Sequence, residues 1–361
     1  MREKKTPLEQ EPQINISRST AGRMWLICFC AGLGIIQSGL SDSGASLLLA
    51  LTALVSAVLT ELLLTYKKSG LEKIKDGSAA ASALVFSLLL PNDIHPVYAG
   101  LGAIFALGVV KHSFGGLGSN WVNPGLGGWL FVRLSWPSFF VRALEGSPLS
   151  ILHESLRGEL SGGQGSPLGL LKTSGLVQFP GDASPLDGLI RSFLNNWIFS
   201  ITGTELPAGY IDLLVPRSPG IIADRGLLAL ILGTIIIAAS RVGRAWIPAV
   251  FLGVFGFLVR VFGALPYGGM SGQGDVLFAF FSGGTFAAAF LLAAEPATGA
   301  KSNAGVLCAV IMGAILAWFF RYQGLEPYGV FFAAALVNAF TPLIRSFEGR
   351  RFYASRRRTS G

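Results

Sequence analysis

Charge is scarce in this sequence. Only 13% of its 361 residues are Asp, Glu, Lys or Arg, about half the share of a soluble globular protein. Histidine and cysteine are sparser still, at three each. No Cys-x-x-Cys occurs, and no other iron–sulfur cysteine pattern. With three histidines, no protein-only zinc or iron site is visible. The pair Cys28 and Cys30 lies in "ICFC", and C-x-C on a helix turns the two thiols about 200° apart, so one helix cannot chelate with both. Those two, with Cys308, read as structural cysteines in apolar segments. There is no dinucleotide-binding glycine fingerprint and no P-loop. An opening signal peptide is not expected either, because residues 1–22 are polar with mixed charge and lack a short apolar core.

What remains is apolar, at 51% of the chain, and it comes in long blocks. The 47 glycines fit a bundle whose helices approach closely in lipid. An all-α integral membrane protein is expected. A bilayer needs about 20 apolar residues per helix. Ten candidate spans follow: 23–40, 46–66, 78–91, 95–111, 126–142, 226–240, 245–264, 275–294, 305–320 and 327–345. The net charge of +8 sits at span ends and in the tail. It therefore speaks for orientation and anionic lipid, not for nucleic acid. With the N-terminus in the cytoplasm, the basic loops, including "KKSGLEKIKDG", fall inside, and both termini are cytoplasmic. The long interval 143–225 falls outside. Arg142 and Arg321 are mild exceptions.

The chain divides into an arm (1–22), a first group of five spans (23–142), the outer interval (143–225), a second group of five (226–345) and a basic tail (346–361). "DGSAAASALVFSLLLPN" and "SGGTFAAAFLLAAEPAT" both open on Gly and a hydroxyl residue and close on Pro, at Pro91 and Pro296. Five spans per group makes the second group enter from the opposite side, the inverted-repeat plan of many transporters. The broken third and eighth spans would then form the site near the midplane, or their small residues merely allow close packing. Intramembrane charges are functional candidates by default. Glu295, beside Pro296, and Arg260, in "GFLVRVFG", are the residues assigned to an ion pathway. Arg133 and Arg260 could equally have structural partners. Glu61 is expected to pair with Lys67 or Lys68, and Asp76 to cap the third span.

Three segments carry a resemblance: "KHSFGGLGSNWVNPG", "DGSAAASALVFSLLLP" and "FSGGTFAAAFLLAAEPATGAKSNAG". Over roughly 20–350 the chain resembles the NqrB/RnfD family, the membrane component shared by the Na+-translocating NADH:quinone reductase and the Rnf electron transport complex. The short first arm favours the Rnf type. The resemblance implies one subunit of an ion-translocating oxidoreductase in the bacterial cytoplasmic membrane, working with other subunits and not catalytic alone. It implies electron transfer between ferredoxin and NAD, coupled to Na+ or H+ transport. It also implies a flavin mononucleotide (FMN) joined through its phosphate to an outer-loop hydroxyl by a flavin transferase, and a non-covalent riboflavin.

The family's Ser-Gly-Ala-Thr acceptor motif corresponds here to Gly163, Gln164, Gly165 and Ser166, followed by Pro167 and Leu168. Ser166 keeps the hydroxyl, while the three residues before it depart. Leu160 stands where an acidic residue is usual, with Glu159 one position off. Thr173 is a weaker alternative acceptor. A glycine-rich loop suits a phosphate, because its backbone can approach and donate N–H bonds. The following "SPLDGLIRSFLNNWIFS" has apolar residues at helical spacing and suits an amphipathic helix lying on the membrane. Two other readings stay open: an inverted-repeat transporter or channel without a redox role, and a structural subunit without covalent flavin.

Overall fold

A computed structural model of the chain describes residues 20–66, 74–116, 120, 122–145, 147–150, 183–202, 205–216, 218–240, 244–294, 300, 302–324 and 326–359. Among these residues the structure is helical and holds no strand, only an isolated bridge between Pro91 and Ile221. The helices of the first group are α1 (Thr20–Ser41), α2 (Ala45–Thr65), α3 (Ser78–Leu88), α4 (Pro96–Phe105), α5 (Pro124–Ser135) and α6 (Pro137–Glu145). Among the described residues of the outer interval two helices follow, α7 (Pro185–Trp197) and the single turn α8 (Ile222–Arg225). The second group is α9 (Leu227–Ala239), α10 (Trp246–Phe262), α11 (Val276–Phe281), α12 (Thr285–Ala294), α13 (Asn303–Tyr322) and α14 (Gly329–Thr359).

Among the described residues five helices are long and apolar enough to cross a bilayer, and the helices at 78–88, 96–112 and 227–239 are apolar but shorter. The protein is an all-α integral membrane protein. Its outer faces show why. Leu40 and Leu63 are 82% and 80% exposed, and Leu51, Phe257 and Phe319 are exposed as well. Such a belt of large apolar side chains is costly in water and neutral in lipid. The inward faces carry small residues: Ala53 and Ala57 are fully buried where α2 meets α3 and α4. Small residues let helices approach closely where lipid offers no hydrophobic drive to associate.

Several helix ends are written in the sequence. Asn123 caps α5 by accepting from Leu126 N at 3.1 Å, and Pro124 takes the first helical position, where its missing N–H costs nothing. Asp76, expected to cap the third span, stands one residue ahead of the Gly77 N-cap and accepts from Ser78 N at 2.7 Å. The expected fifth span, 126–142, is not one helix. Pro137 drives Trp136 out of helical backbone, and the span divides into α5 and α6. The segment 346–359, expected as a tail, continues α14. Within the outer-interval segment 184–200 residues 185–197 form α7, as the apolar spacing predicts, with Leu186, Leu189, Phe193 and Trp197 exposed.

The two groups pack alike. In the first, α3 contacts α1, α2 and α5, while α4 contacts α2 and α5. In the second, α12 contacts α9, α10 and α14, while α13 contacts α10 and α14. Helix α1 joins the groups through α9. It also sets their polarity. Near its start, Trp25 Nε1 donates to Lys75 O at 3.1 Å, beside the beginning of α3. Near its end, Gln37 donates to Leu214 O at 2.9 Å and accepts from Ala229 N at 2.7 Å, beside the beginning of α9. The starts of α3 and of α9 therefore lie at opposite ends of α1.

Candidate functional site

The first group has a helix break before α3. Gly77 holds a left-handed backbone, with φ 72° and ψ 0°, and the helix begins at Ser78. Lys111 Nζ, at the far end of α4, donates to Ser78 Oγ at 2.8 Å and to Glu61 Oε2 at 2.9 Å. His112 Nε2 lies 2.9 Å from the same Glu61 oxygen. Neighbouring residues on an α-helix diverge by about 100°. Here α4 continues into a π-helix, Ala106–His112, and both side chains at its end reach one carboxylate. Lys111 and Glu61 are only 2% and 1% exposed. A charge pair so buried needs good geometry and further hydrogen bonds to offset its desolvation, and Ser78 and His112 supply them.

The second group has its break between α11 and α12, at Ser282-Gly283-Gly284-Thr285. Gly283 and Gly284 are both left-handed, with φ 66° and 72°. A Cβ on Gly284 would lie 2.3 Å from Phe331 Cζ, so no other residue fits without displacement. Asp224, on α8, accepts from Gly283 N at 3.0 Å and Gly284 N at 2.7 Å. Arg321, at the end of α13, takes the other side of the loop. Its Nη1 donates to Ala279 O at 2.9 Å, Ser282 O at 3.0 Å and Thr285 Oγ1 at 3.1 Å. Its Nη2 donates to Ser282 Oγ at 2.7 Å. Arg321 is 4% exposed.

The correspondence between the breaks is close. In each, a left-handed glycine precedes the first residue of a half-length helix, and that residue is a hydroxyl: Ser78 or Thr285. In each, the hydroxyl accepts from a buried cation at the far end of the next long helix, Lys111 or Arg321. Because Gly283 and Gly284 are bonded to Asp224, which directly precedes α9, the second break lies at the end of α1 opposite the first.

Beside the second break is a recess of about 320 Å³, counting its open part, lined by Ser147, Leu149, Ser218, Asp224, Arg225 and Ser282 among others. Its enclosed part has room for about one water molecule. Asp224 faces it, half-buried. Burial pushes the Asp224 carboxyl up to about 6, against the opposing pull of the Gly284 N–H, Arg321 and the Gly283 N–H. Nearby, Arg133 Nη2 donates to Glu326 Oε2 at 2.9 Å, tying α5 to the segment before α14. Arg133 also lies over the Phe140 ring at 5.3 Å. Arg133 thus has the structural partner foreseen for it.

The geometry can be set beside known proteins. Residues 8–354 match the family described as NQR2, RnfD, RnfE. The chain belongs to this family. It is similar over nearly its whole length to subunits of membrane redox complexes. It is 28% identical to the D subunit of the proton-translocating ferredoxin:NAD(+) oxidoreductase complex of Clostridium ljungdahlii, over 97% of this chain and 96% of that one. It is 27% identical to the D subunit of the ion-translocating oxidoreductase complex of Erwinia tasmaniensis, over 97% and 98%. It is 25% identical to the D subunit of the Na(+)-translocating ferredoxin:NAD(+) oxidoreductase complex of Acetobacterium woodii, over 98% and 96%.

Within this family member the residues singled out by sequence fall in different places. Ser166 and Thr173, the flavin acceptors considered, lie outside the described residues, as do Glu295, Lys67 and Lys68. Arg260 is exposed on α10, with Nη1 3.5 Å from Gly274 O. Glu61 is bonded to Lys111 and His112 from the π-helical end of α4. Cys28 and Cys30 are buried and Cys308 is exposed. No group of three His, Cys, Asp or Glu suited to a metal occurs among the described residues. Sequence reasoning passed over Lys111, Arg321 and Asp224 as site residues. Arg321 left one trace, as an exception to the loop-charge pattern.

Proposed function

We propose that this chain is the D subunit of an ion-translocating ferredoxin:NAD oxidoreductase complex in a bacterial cytoplasmic membrane. One observation carries the reading: subunits of that name are similar to it end to end, at 25–28% identity. The packing supports ten spans in two inverted five-helix repeats, because equivalent pairings recur and the two breaks lie at opposite ends of α1. Inverted repeats with broken helices place ion sites between them. Both termini are assigned to the cytoplasm by the basic loops. Ferredoxin and NAD are handled by partner subunits, since this chain has neither a nucleotide fingerprint nor an iron–sulfur cysteine pattern.

Ser166 is our proposed attachment point for FMN, through its phosphate, by a flavin transferase, with riboflavin held non-covalently elsewhere in the chain. When bound, flavin supplies the redox chemistry, and the protein supplies position and electrostatics. The sequence supports Ser166 by its hydroxyl, its following Pro167-Leu168 and the glycines around it. The test is direct. The chain is co-expressed with a flavin transferase, denatured, and run on a gel. A fluorescent band that goes dark in Ser166→Ala is the expected result. A dark wild-type band overturns covalent attachment and favours a purely structural role. The wider assignment is tested by ion uptake into vesicles driven by reduced ferredoxin and NAD. Uptake that does not depend on the donor would instead mark a transporter without a redox role.

A further inference from the structure

The oxygens around Arg321 are arranged as a cation site. Ala279 O and Ser282 O are carbonyls at the end of half-helix α11, where the helix carries partial negative charge. Thr285 Oγ1 begins half-helix α12. These three oxygens converge at 2.9–3.1 Å on one guanidinium nitrogen, and Ser282 Oγ takes the next nitrogen. Unwound carbonyls and half-helix C-terminal ends are the oxygen donors that broken membrane helices offer to monovalent cations. Here a protein cation fills the place. At the other end of α1, Lys111 does the same with Ser78 Oγ and the Glu61 carboxylate.

We propose that both breaks are monovalent-cation sites held closed by a tethered cation: Arg321 at one end of α1 and Lys111 at the other. A charged side chain buried in a membrane protein is costly unless it is paired, and both of these lie almost wholly inside. Each side chain supplies the positive charge that its oxygens require, and it excludes a free ion by occupying its position. The two basic residues are therefore plugs in series, so opening one end alone binds an ion without passing it. The inference rests on the ion-translocating reading and adds to it the residues that close the path.

The test uses the assembled complex in detergent and in proteoliposomes, without electron donor. Variants Arg321→Ala and Lys111→Ala are purified in sodium chloride and then exchanged into choline chloride. Melting temperature is measured on adding Na+, Li+ or K+ at constant ionic strength. A cation that binds the folded state raises the melting temperature by mass action. The expected result is a rise of about 3 °C or more for at least one alkali cation in each variant, and none in the wild type. Free guanidinium should stabilise Arg321→Ala and compete with the alkali cation, and methylammonium should do so for Lys111→Ala. The double variant should leak 22Na+ across proteoliposomes without donor. Folded variants that show no preference for any alkali cation over choline overturn the proposal. A loss of folding that no alkali cation repairs overturns it too, because a basic residue needed only for structure behaves that way. Donor-driven uptake by the wild type is a separate measurement, so failure of the complex assignment is distinguishable from failure of the plugs.

Discussion

The glycine break between α11 and α12 makes a graded prediction. An L-residue in the left-handed region costs roughly 1–2 kcal/mol. Gly284 has φ 72°, and a Cβ there would sit 2.3 Å from Phe331 Cζ. Phe331 is fully buried, so its ring has no solvent to move into. Overfilling a packed site adds about 1–3 kcal/mol. Gly284→Ala should therefore destabilise the fold by about 2–5 kcal/mol. Gly44 also has a left-handed backbone, at φ 92°, but a Cβ there meets nothing within 4 Å. Gly44→Ala carries only the backbone cost, about 1–2 kcal/mol. Gly253 lies inside α10 with open space around it and no left-handed backbone. Gly253→Ala should be neutral, or stabilise by up to about 1 kcal/mol through helix propensity. The assay heats detergent-solubilised protein and follows the monodisperse fraction. The expected order of melting temperatures, highest first, is Gly253→Ala, then Gly44→Ala, then Gly284→Ala. If Gly284→Ala melts with Gly44→Ala, the ring contact at the break is refuted.

Two further outcomes follow from the charges. Lys111→Met leaves the Glu61 carboxylate buried beside His112, and removal of one partner from a buried pair costs about 3–5 kcal/mol. The double variant Lys111→Met with Glu61→Leu should recover part of that loss in the same melting assay, and strict additivity would show that the two are uncoupled. Asp224 gives a pH dependence. Its folded pKa is raised to about 6 from an ordinary 3.8. The stability it contributes is thus fully present below about pH 4 and lost as pH rises through about 6. The melting temperature of the wild type, minus that of Asp224→Asn, should fall across this window. A flat difference would show that the carboxyl titrates in the folded state as it does when unfolded.

The apolar blocks foretold the helices because length and hydropathy act locally. Ala45–Thr65 has no proline or glycine and reads as a span on sight. The Asn123-Pro124 cap and the Asp76 bond to Ser78 N are legible for the same reason: each is decided by residues within one turn. Pro137 is plain in the sequence, yet 126–142 reads as one span, because hydropathy does not register a single bend. The site was less legible. Lys111 is separated from Glu61 by 50 residues, and Arg321 from Ser282 by 39. Both basic residues pass for loop charges in the sequence, since each ends a helix. Only the fold turns them inward, and Lys111 and His112 stand in a π-helix, which no apolar pattern announces. The repeat "GS" and "GGT" was visible as similarity, but its meaning needed the two cations.

The second break also explains how charge of both signs can be held at one loop without contact between them. Ser282 O accepts from Arg321, and Gly283 N donates to Asp224. These two atoms belong to a single peptide unit, planar and trans, whose C=O and N–H point to opposite sides. The peptide therefore relays the interaction between the guanidinium and the carboxylate. A rotation of this peptide unit that parts Ser282 O from Arg321 swings Gly283 N–H away from Asp224 in the same movement. Gly284 N–H, one unit on, strengthens the second half of the relay. At the first break Lys111 touches Glu61 directly, and no peptide stands between. The two ends thus differ in what opening demands. One requires a side chain to leave a carboxylate. At the other, a turn of the 282–283 peptide would part Ser282 O from Arg321 and Gly283 N–H from Asp224 together, while Ala279 O, Thr285 Oγ1 and Ser282 Oγ still hold the guanidinium.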